Sequence, residues 1–412
     1  MSNGHAFLSA SGSKIWLACT PSARAQEHYP DSESVFSREG TFAHGLATAR
    51  LEIKLKRDKE ALNKFHAANK EAWAEFYNQE LADFVEGYVA RCMELIDTVR
   101  ATCPDAIVML EQRLDFSRWV PEGFGTGDLV VVADRVLYVR DLKFGKGVWV
   151  DAENNSQMRL YAGGALDTYG MLYDFDVIDV GIEQPRLDNF DQERLTREEL
   201  TAWLDDYVAP RAALAWNGEG EFVAGDHCTF CRARHDCAKR AEHNLATVAA
   251  YSPEDDFKTL APAMSEERIA EILPKLDEFI RWAKDLKDWS LREQVFGRKK
   301  FPGLKLVAGR SVRKITDIDA LVQRLIDAEV DARLLYQPPE LLGLTALEKL
   351  VGKKKFGEIA GAQVDALGGP PAPSLLKKPP GKPKLVPEAD KRPEWVPEDA
   401  AEIDFGGLDN EE

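Results

Sequence analysis

The residues best suited to chemistry lie near the middle of the 412-residue chain. Asp128 follows Gly127, and Asp141-Leu142-Lys143 comes thirteen residues later. Two carboxylates with an open position for water suit a hard divalent cation such as Mg2+ or Mn2+. Such a cation polarises a phosphate and acidifies bound water. Lys143 alternates with Asp141, so on a strand both side chains face one side. Its ammonium could orient an attacking water and offset charge developing on phosphorus. Upstream, His44 in Glu39-Gly-Thr-Phe-Ala-His44 offers an imidazole as a further metal ligand. Downstream, Gln157 and Tyr161 are four apart and share a helix face. An amide and a phenol there could position a phosphate or the lysine. Glu111 is a further acid, with polar alternate neighbours Arg113 and Asp115, and is expected on a solvated face or supporting the site from outside.

The cysteines form a second constellation. Cys228, Cys231 and Cys237 make a C-x2-C-x5-C trio, and Cys19 could supply a fourth thiolate from far away in sequence. Clustered cysteines in a reducing compartment point to metal or redox chemistry rather than disulfides. The spacing also fits zinc, with His227 or His235 completing a Cys3His set. Cys92 and Cys103 stand apart and read as small hydrophobes.

The elements that must position these groups follow from pattern. Residues 39–100 read as largely helical, ending before Pro104. Residues 108–116, 128–133, 136–143 and 177–183 read as strands, with Gly123–Gly127 as a turn. Residues 154–170 and 196–216 read as helices. The expected fold is α/β: a mixed central sheet flanked by helices, with a helical N-terminal part and a small basic C-terminal unit. Residues 265–291 carry the apolar spacing of one long amphipathic helix.

Four motifs in order resemble the RecB-like branch of the PD-(D/E)XK nucleases. They are Gly40-Thr-Phe-Ala-His44, Gly127-Asp128 (one residue shorter than that family's Gly-x-Asp), Asp141-Leu-Lys143 and Gln157-Met-Arg-Leu-Tyr161. The resemblance spans roughly residues 1–245 and implies a restriction-endonuclease-like core. It implies that His44, Asp128 and Asp141 hold metal, with the Leu142 carbonyl as a further ligand, and that Lys143 is catalytic. One cysteine before these motifs and three after resemble the iron–sulfur subset of that family. There Cys19, Cys228, Cys231 and Cys237 would hold a [4Fe–4S] cluster that staples the C-terminal segment to the N-terminal helix. The implied activity is an Mg2+- or Mn2+-dependent deoxyribonuclease, an exonuclease acting on DNA ends or single strands. Its implied setting is recombination, repair or phage replication. A non-cleaving DNA-binding module on the same fold, or RNA as substrate, are the alternatives.

Charge is net -17, yet it is not uniform. Residues 298–314 hold seven Lys and Arg and no acid, and Lys353-Lys-Lys355 adds another cluster, so DNA contact is expected there. Four segments follow: a nuclease domain to residue 245, a helical connector at 246–295, a basic accessory unit at 296–360 and a disordered tail at 361–412. Nine of the 21 prolines fall between Pro370 and Pro397, a composition that cannot bury enough apolar surface to fold. The acidic tip carries Ile403, Phe405 and Leu408 and could dock a recombination or replication protein. No P-loop occurs, so any unwinding would come from a partner. No apolar run spans a bilayer and no signal peptide is evident, which makes the cytoplasm the expected compartment.

Overall fold

The computed structural model describes residues 6–30, 34–250 and 266–304. The basic unit beyond Leu304, the lysine cluster at 353–355 and the acidic tip lie outside the described residues. Those up to Lys300 belong to one compact unit.

Five strands form one sheet in the order β1-β2-β3-β4-β5: Ile107–Asp115, Phe124–Val132, Val136–Leu142, Val177–Gln184 and Asn189–Thr196. Three neighbouring pairs are antiparallel, and β3 with β4 is parallel. A parallel pair needs a crossover, and helix α7 (Ser156–Tyr169) supplies it. The sheet is therefore mixed and flanked by helices on both faces.

The N-terminal part is helical: α1 (Ser13–Ala18), α2 (Ser22–Ala25), α3 (Val35–Lys54), α4 (Ala61–Ala68), α5 (Lys70–Phe76) and α6 (Gln79–Thr102). On one side of the sheet, α3 and α6 bury Leu46, Val85, Val89 and Ile96 against Leu129, Val131 and Leu142. On the other, α7 packs Met158, Leu160 and Ala165 against Val130, Val139, Val180 and Ile182. Strand side chains alternate between faces, which is why β2 reads as continuously apolar: both its faces are covered.

Two readings of the sequence are corrected. Gly123–Gly127 is not a turn, because β2 begins at Phe124. Its glycines serve close packing: a Cβ on Gly125 would lie 2.4 Å from the Tyr161 ring, and one on Gly127 would lie 2.8 Å from Leu114 Cδ1. The chain instead reverses through Ser117–Gly123. Strand β5 is also absent from the pattern, because it is a half-exposed edge strand rich in charge. The expected helix 196–216 starts at Arg197 behind a Thr196–Glu199 capping box. It continues as α8 (Arg197–Ala202), a π-turn over Trp203–Val208, and α9 (Ala209–Asn217). The chain then runs through the cysteine loop into α10 (Ala238–Ala250), and α11 (Glu266–Val295) is the expected long helix. Among the described residues, no helix is long and apolar enough to cross a membrane.

Candidate metal centre and cysteine cluster

Strand register sets the centre. The β2–β3 ladder ends at Leu129↔Arg140, and one further step would place Asp128 opposite Asp141. In β1–β2, Leu110 pairs with Leu129 and Gln112 with Gly127, which leaves Glu111 opposite Asp128. Three acids thus stand in one row across three strands. The row is also where regular pairing fails. Glu111 has φ +48°, a conformation uncommon for a residue with a Cβ. Leu110 packs against the α3/α6 cluster and Leu114 against the α7 cluster, although regular alternation would put them on one face. The kink at Glu111 therefore shifts the alternation and frees the acids from the ladder.

Asp128 is buried and fully engaged. Its Oδ2 accepts a hydrogen bond from Leu142 N at 2.6 Å, and its Oδ1 lies 3.0 Å from His44 Nδ1. His44 reaches it from α3. One turn on, the Thr48 hydroxyl lies 2.9 Å from both the His44 carbonyl and Glu111 Oε1. His44, Glu111 and Asp128 each present a ligand atom, all within 4.8 Å of one another. The buried Tyr88 from α6 lines the same small space, and its hydroxyl has no hydrogen-bond partner.

Asp141 sits on the α7 side. Gln157 Nε2 donates to its Oδ1 at 3.2 Å and to the Tyr161 hydroxyl at 3.1 Å. Lys143 Nζ donates to Gln157 Oε1 at 2.8 Å. The ammonium also lies 2.9 Å from Asp141 Oδ2, close enough to pair charges but outside hydrogen-bonding directions. That carboxylate oxygen is buried, with the residue 3% exposed, and keeps no hydrogen bond. The Asn155 side chain caps α7 by accepting from Gln157 N and Met158 N, which fixes the turn that carries the amide.

The electrostatics suit a cation. Burial pushes the Asp141 carboxyl above its usual range, Lys143 opposes the shift, and Asp128 adds to it. Glu111 is raised by burial and by Asp128, with its hydrogen bond from Thr48 working the other way. Burial alone would lower the His44 imidazole, but Asp128, Asp141 and Glu111 outweigh it and lift it to about 9. Three acids thus crowd two cationic groups. An N/O donor set of this kind fits Mg2+ or Mn2+.

His44, Asp128 and Leu142 are joined on one side, and Asp141, Lys143, Gln157 and Tyr161 on the other; the ligand atoms within 4.8 Å of one another are those of His44, Glu111 and Asp128, and Asp141 is not among them. Glu111 is exposed, as the expected solvated strand face requires, and its carboxylate also lies within 4.8 Å of the His44 and Asp128 ligand atoms. The available signal is register: Glu111 stands as far before the β1–β2 turn as Asp128 stands after it.

The cysteines also converge. Cys19 follows α1, and Cys228 lies in a 3-10 turn, Asp226–Phe230, that packs against α1. Burial raises the Cys231 thiol to about 11, and Cys228, Cys19 and Cys237 all lie close enough to add to that shift. Backbone N–H groups approach two sulfurs, Val223 N at 3.4 Å from Cys19 Sγ and Gly225 N at 3.5 Å from Cys228 Sγ. A hydrogen bond donated by the His227 ring to the Cys19 sulfur holds the imidazole up, against burial. The surroundings are cross-tied: Arg211 donates to the Leu17 carbonyl, Thr20 Oγ1 to the Glu219 carbonyl at 2.6 Å, and Arg232 N to Gln26 Oε1 at 3.0 Å. Behind the loop, the buried Arg240 of α10 bridges Glu278 and Asp285 of α11 at 2.8 and 2.7 Å.

Residues 5–393 match a family described as a protein of unknown function, DUF2800. A solved structure titled "Crystal structure of SSO0001" is similar over 55% of this chain and 96% of its own, at 12% identity and a TM-score of 0.20. A likeness at that score carries no argument. The match to the family spans most of the sequence, and the chain belongs to that family.

Proposed function

For this member of the DUF2800 family, we propose a metal-dependent deoxyribonuclease of the RecB-like PD-(D/E)XK type, built on a restriction-endonuclease-like core. One observation carries the reading. Asp128 with His44, and the buried Asp141 with Lys143 and Gln157, meet at the end of one sheet.

His44, Asp128 and Asp141 would hold Mg2+ or Mn2+, with the Leu142 carbonyl beside them and Glu111 as a further carboxylate. A divalent cation supplies Lewis-acid polarisation of the scissile phosphate and a more acidic water. The chain's own groups do the positioning. Gln157 spans Lys143, Asp141 and Tyr161, so the ammonium is held by two partners rather than swinging free. Held there, Lys143 orients the attacking water and stabilises negative charge gathering on the phosphate. Leu142 N locks the Asp128 carboxylate in one rotamer, which fixes the spacing of the donor set.

The four cysteines fit a [4Fe–4S] cluster as a structural staple between α1 and the 226–237 loop. Zinc on the same thiolates, completed by His227 or His235, is the alternative. The acidic tail remains the expected contact for a recombination or replication partner.

The test is incubation of labelled DNA with Mn2+. Wild type should degrade it, and Asp141→Ala and Lys143→Ala should not. Intact DNA of every form after incubation with wild type would sink the reading.

A further inference from the structure

A cleft of about 1010 Å3 leads from the metal centre. It is at the top of the roughly 300–1,000 Å3 range of small-molecule pockets, large enough for several linked units rather than one. His44, Lys143 and Gln157 stand at its inner end. Its rim carries three aromatic rings from three separate elements. Phe36 is in the first turn of α3 and 75% exposed. Trp149, 58% exposed, is on the loop between β3 and α7. Phe230, 58% exposed, lies between the cysteines of the 228–231 pair.

Large rings left in water on three elements around one cleft need an explanation beyond packing. Trp149 is not loose: its indole N–H donates to Asp151 Oδ1 at 3.0 Å, which fixes the ring. Phe230 closes the 3-10 turn Asp226–Phe230. Two lysines on the same lining, Lys14 and Lys146, have no ion-pair partner among the described residues. Lys146 stands between Gly145 and Gly147, where an added Cβ would meet nothing within 4 Å. That loop can therefore approach a backbone closely.

We infer that this cleft binds unpaired DNA, with bases stacked on Phe36, Trp149 and Phe230 and phosphates led past Lys14 and Lys146 to Lys143. The inference rests on the nuclease reading for the identity of the polymer. The rings select the form: bases in a duplex have their faces covered by neighbours, whereas a single strand offers every face. Charge selects little, because among the described residues the lining sets Glu39, Asp151 and Glu153 against Lys14 and Lys146. The chain's net -17 is no obstacle when stacking does most of the holding.

The test reads binding without cleavage, using the full chain in EDTA and fluorescence anisotropy. The probes are a labelled oligothymidylate, an abasic strand of equal length and a blunt duplex. Oligothymidylate should bind at least about tenfold tighter than either other probe. Trp149→Ala and Phe36→Ala should each weaken it by about tenfold, and Trp149→Phe should recover most of the loss. Equal binding of the abasic strand would overturn the inference without any variant having to fold. Unchanged affinity in a folded Trp149→Ala would also overturn it. If wild type cleaves DNA with Mn2+ while the abasic strand binds equally, this inference fails and the nuclease reading stands. Base-dependent binding with no cleavage of any DNA form does the opposite: the cleft holds single strands and the nuclease reading fails.

Discussion

Glu111 and Asp128 face each other across β1 and β2 at the position where the ladder between those strands is interrupted. The positive φ of Glu111 and the shift in side-chain alternation around it are two signs of one distortion. Strain of about 1–3 kcal/mol is retained where surrounding structure over-determines it, often at functional sites. Here it turns a third carboxylate toward His44 and Asp128. Glu111→Gln keeps the shape and removes the charge. It should raise the Mn2+ concentration needed for half-maximal cleavage by about 10–100-fold, the range for groups that support a metal site. A metal titration of activity measures this; an unchanged midpoint would return Glu111 to a purely structural place.

Under the proposed mechanism, Asp141 and Lys143 have separable tasks. Asp141→Ala removes a donor, so both metal affinity and turnover should collapse. Lys143→Ala leaves all the metal donors in place. Metal binding should survive, while turnover at saturating metal should fall by about 10²–10⁴-fold, the usual span for a group acting on a proton or a developing charge. Isothermal titration with Mn2+ alongside single-turnover cleavage separates the two. Equal loss of metal affinity in both variants would contradict the assignment of Lys143.

How far the sequence discloses this site depends on the kind of signal. Asp128, Asp141 and Lys143 are legible because strand alternation and a short hairpin allow few arrangements. Gln157 and Tyr161 are legible from helical spacing. Glu111 is not, because it shares a solvated strand face with Arg113 and Asp115, and the kink that brings it near His44 has no residue signature. Glycines mislead for a similar reason. Gly123, Gly125 and Gly127 look like turn chemistry, yet two of them lie in a strand because neighbouring side chains leave no room for a Cβ. Strand β5 escapes because Asp191, Glu193 and Arg194 serve the protein as partners: Arg159 pairs with Glu193, and Ala152 N donates to Asp191 at 2.8 Å.

The Gly125 contact makes a stability prediction tied to activity. A methyl group there meets the Tyr161 ring at 2.4 Å, so either the strand or the ring must move. Gly125→Ala should cost about 1–3 kcal/mol, as overpacking of a filled interior does. Denaturant midpoints report that cost. Displacement of Tyr161 also loosens the Gln157 amide that holds Lys143, so turnover should fall while Mn2+ affinity changes little. A stable Gly125→Ala with full activity would show that the ring has room the structure does not display.

The cysteine cluster should reveal itself through a distant element. Cys19 is separated from Cys228 by most of the folded chain, and a centre shared between them closes a loop of some 200 residues. Opening that loop frees α1, whose Leu17 carbonyl accepts from Arg211 and whose Trp16 is buried in the α7 side of the core. Cys19→Ser should therefore lower the thermal midpoint and expose the N-terminal segment to protease, with cleavage before residue 30. Anaerobically purified wild type should absorb in a broad band near 400 nm, expected of iron–sulfur charge transfer, and the variant should lose it. Because Phe230 sits between Cys228 and Cys231, removing a cluster held there should also weaken oligothymidylate binding. A colourless wild type carrying zinc would reject iron–sulfur yet keep the staple. A variant with an unchanged melting midpoint would reject the staple itself.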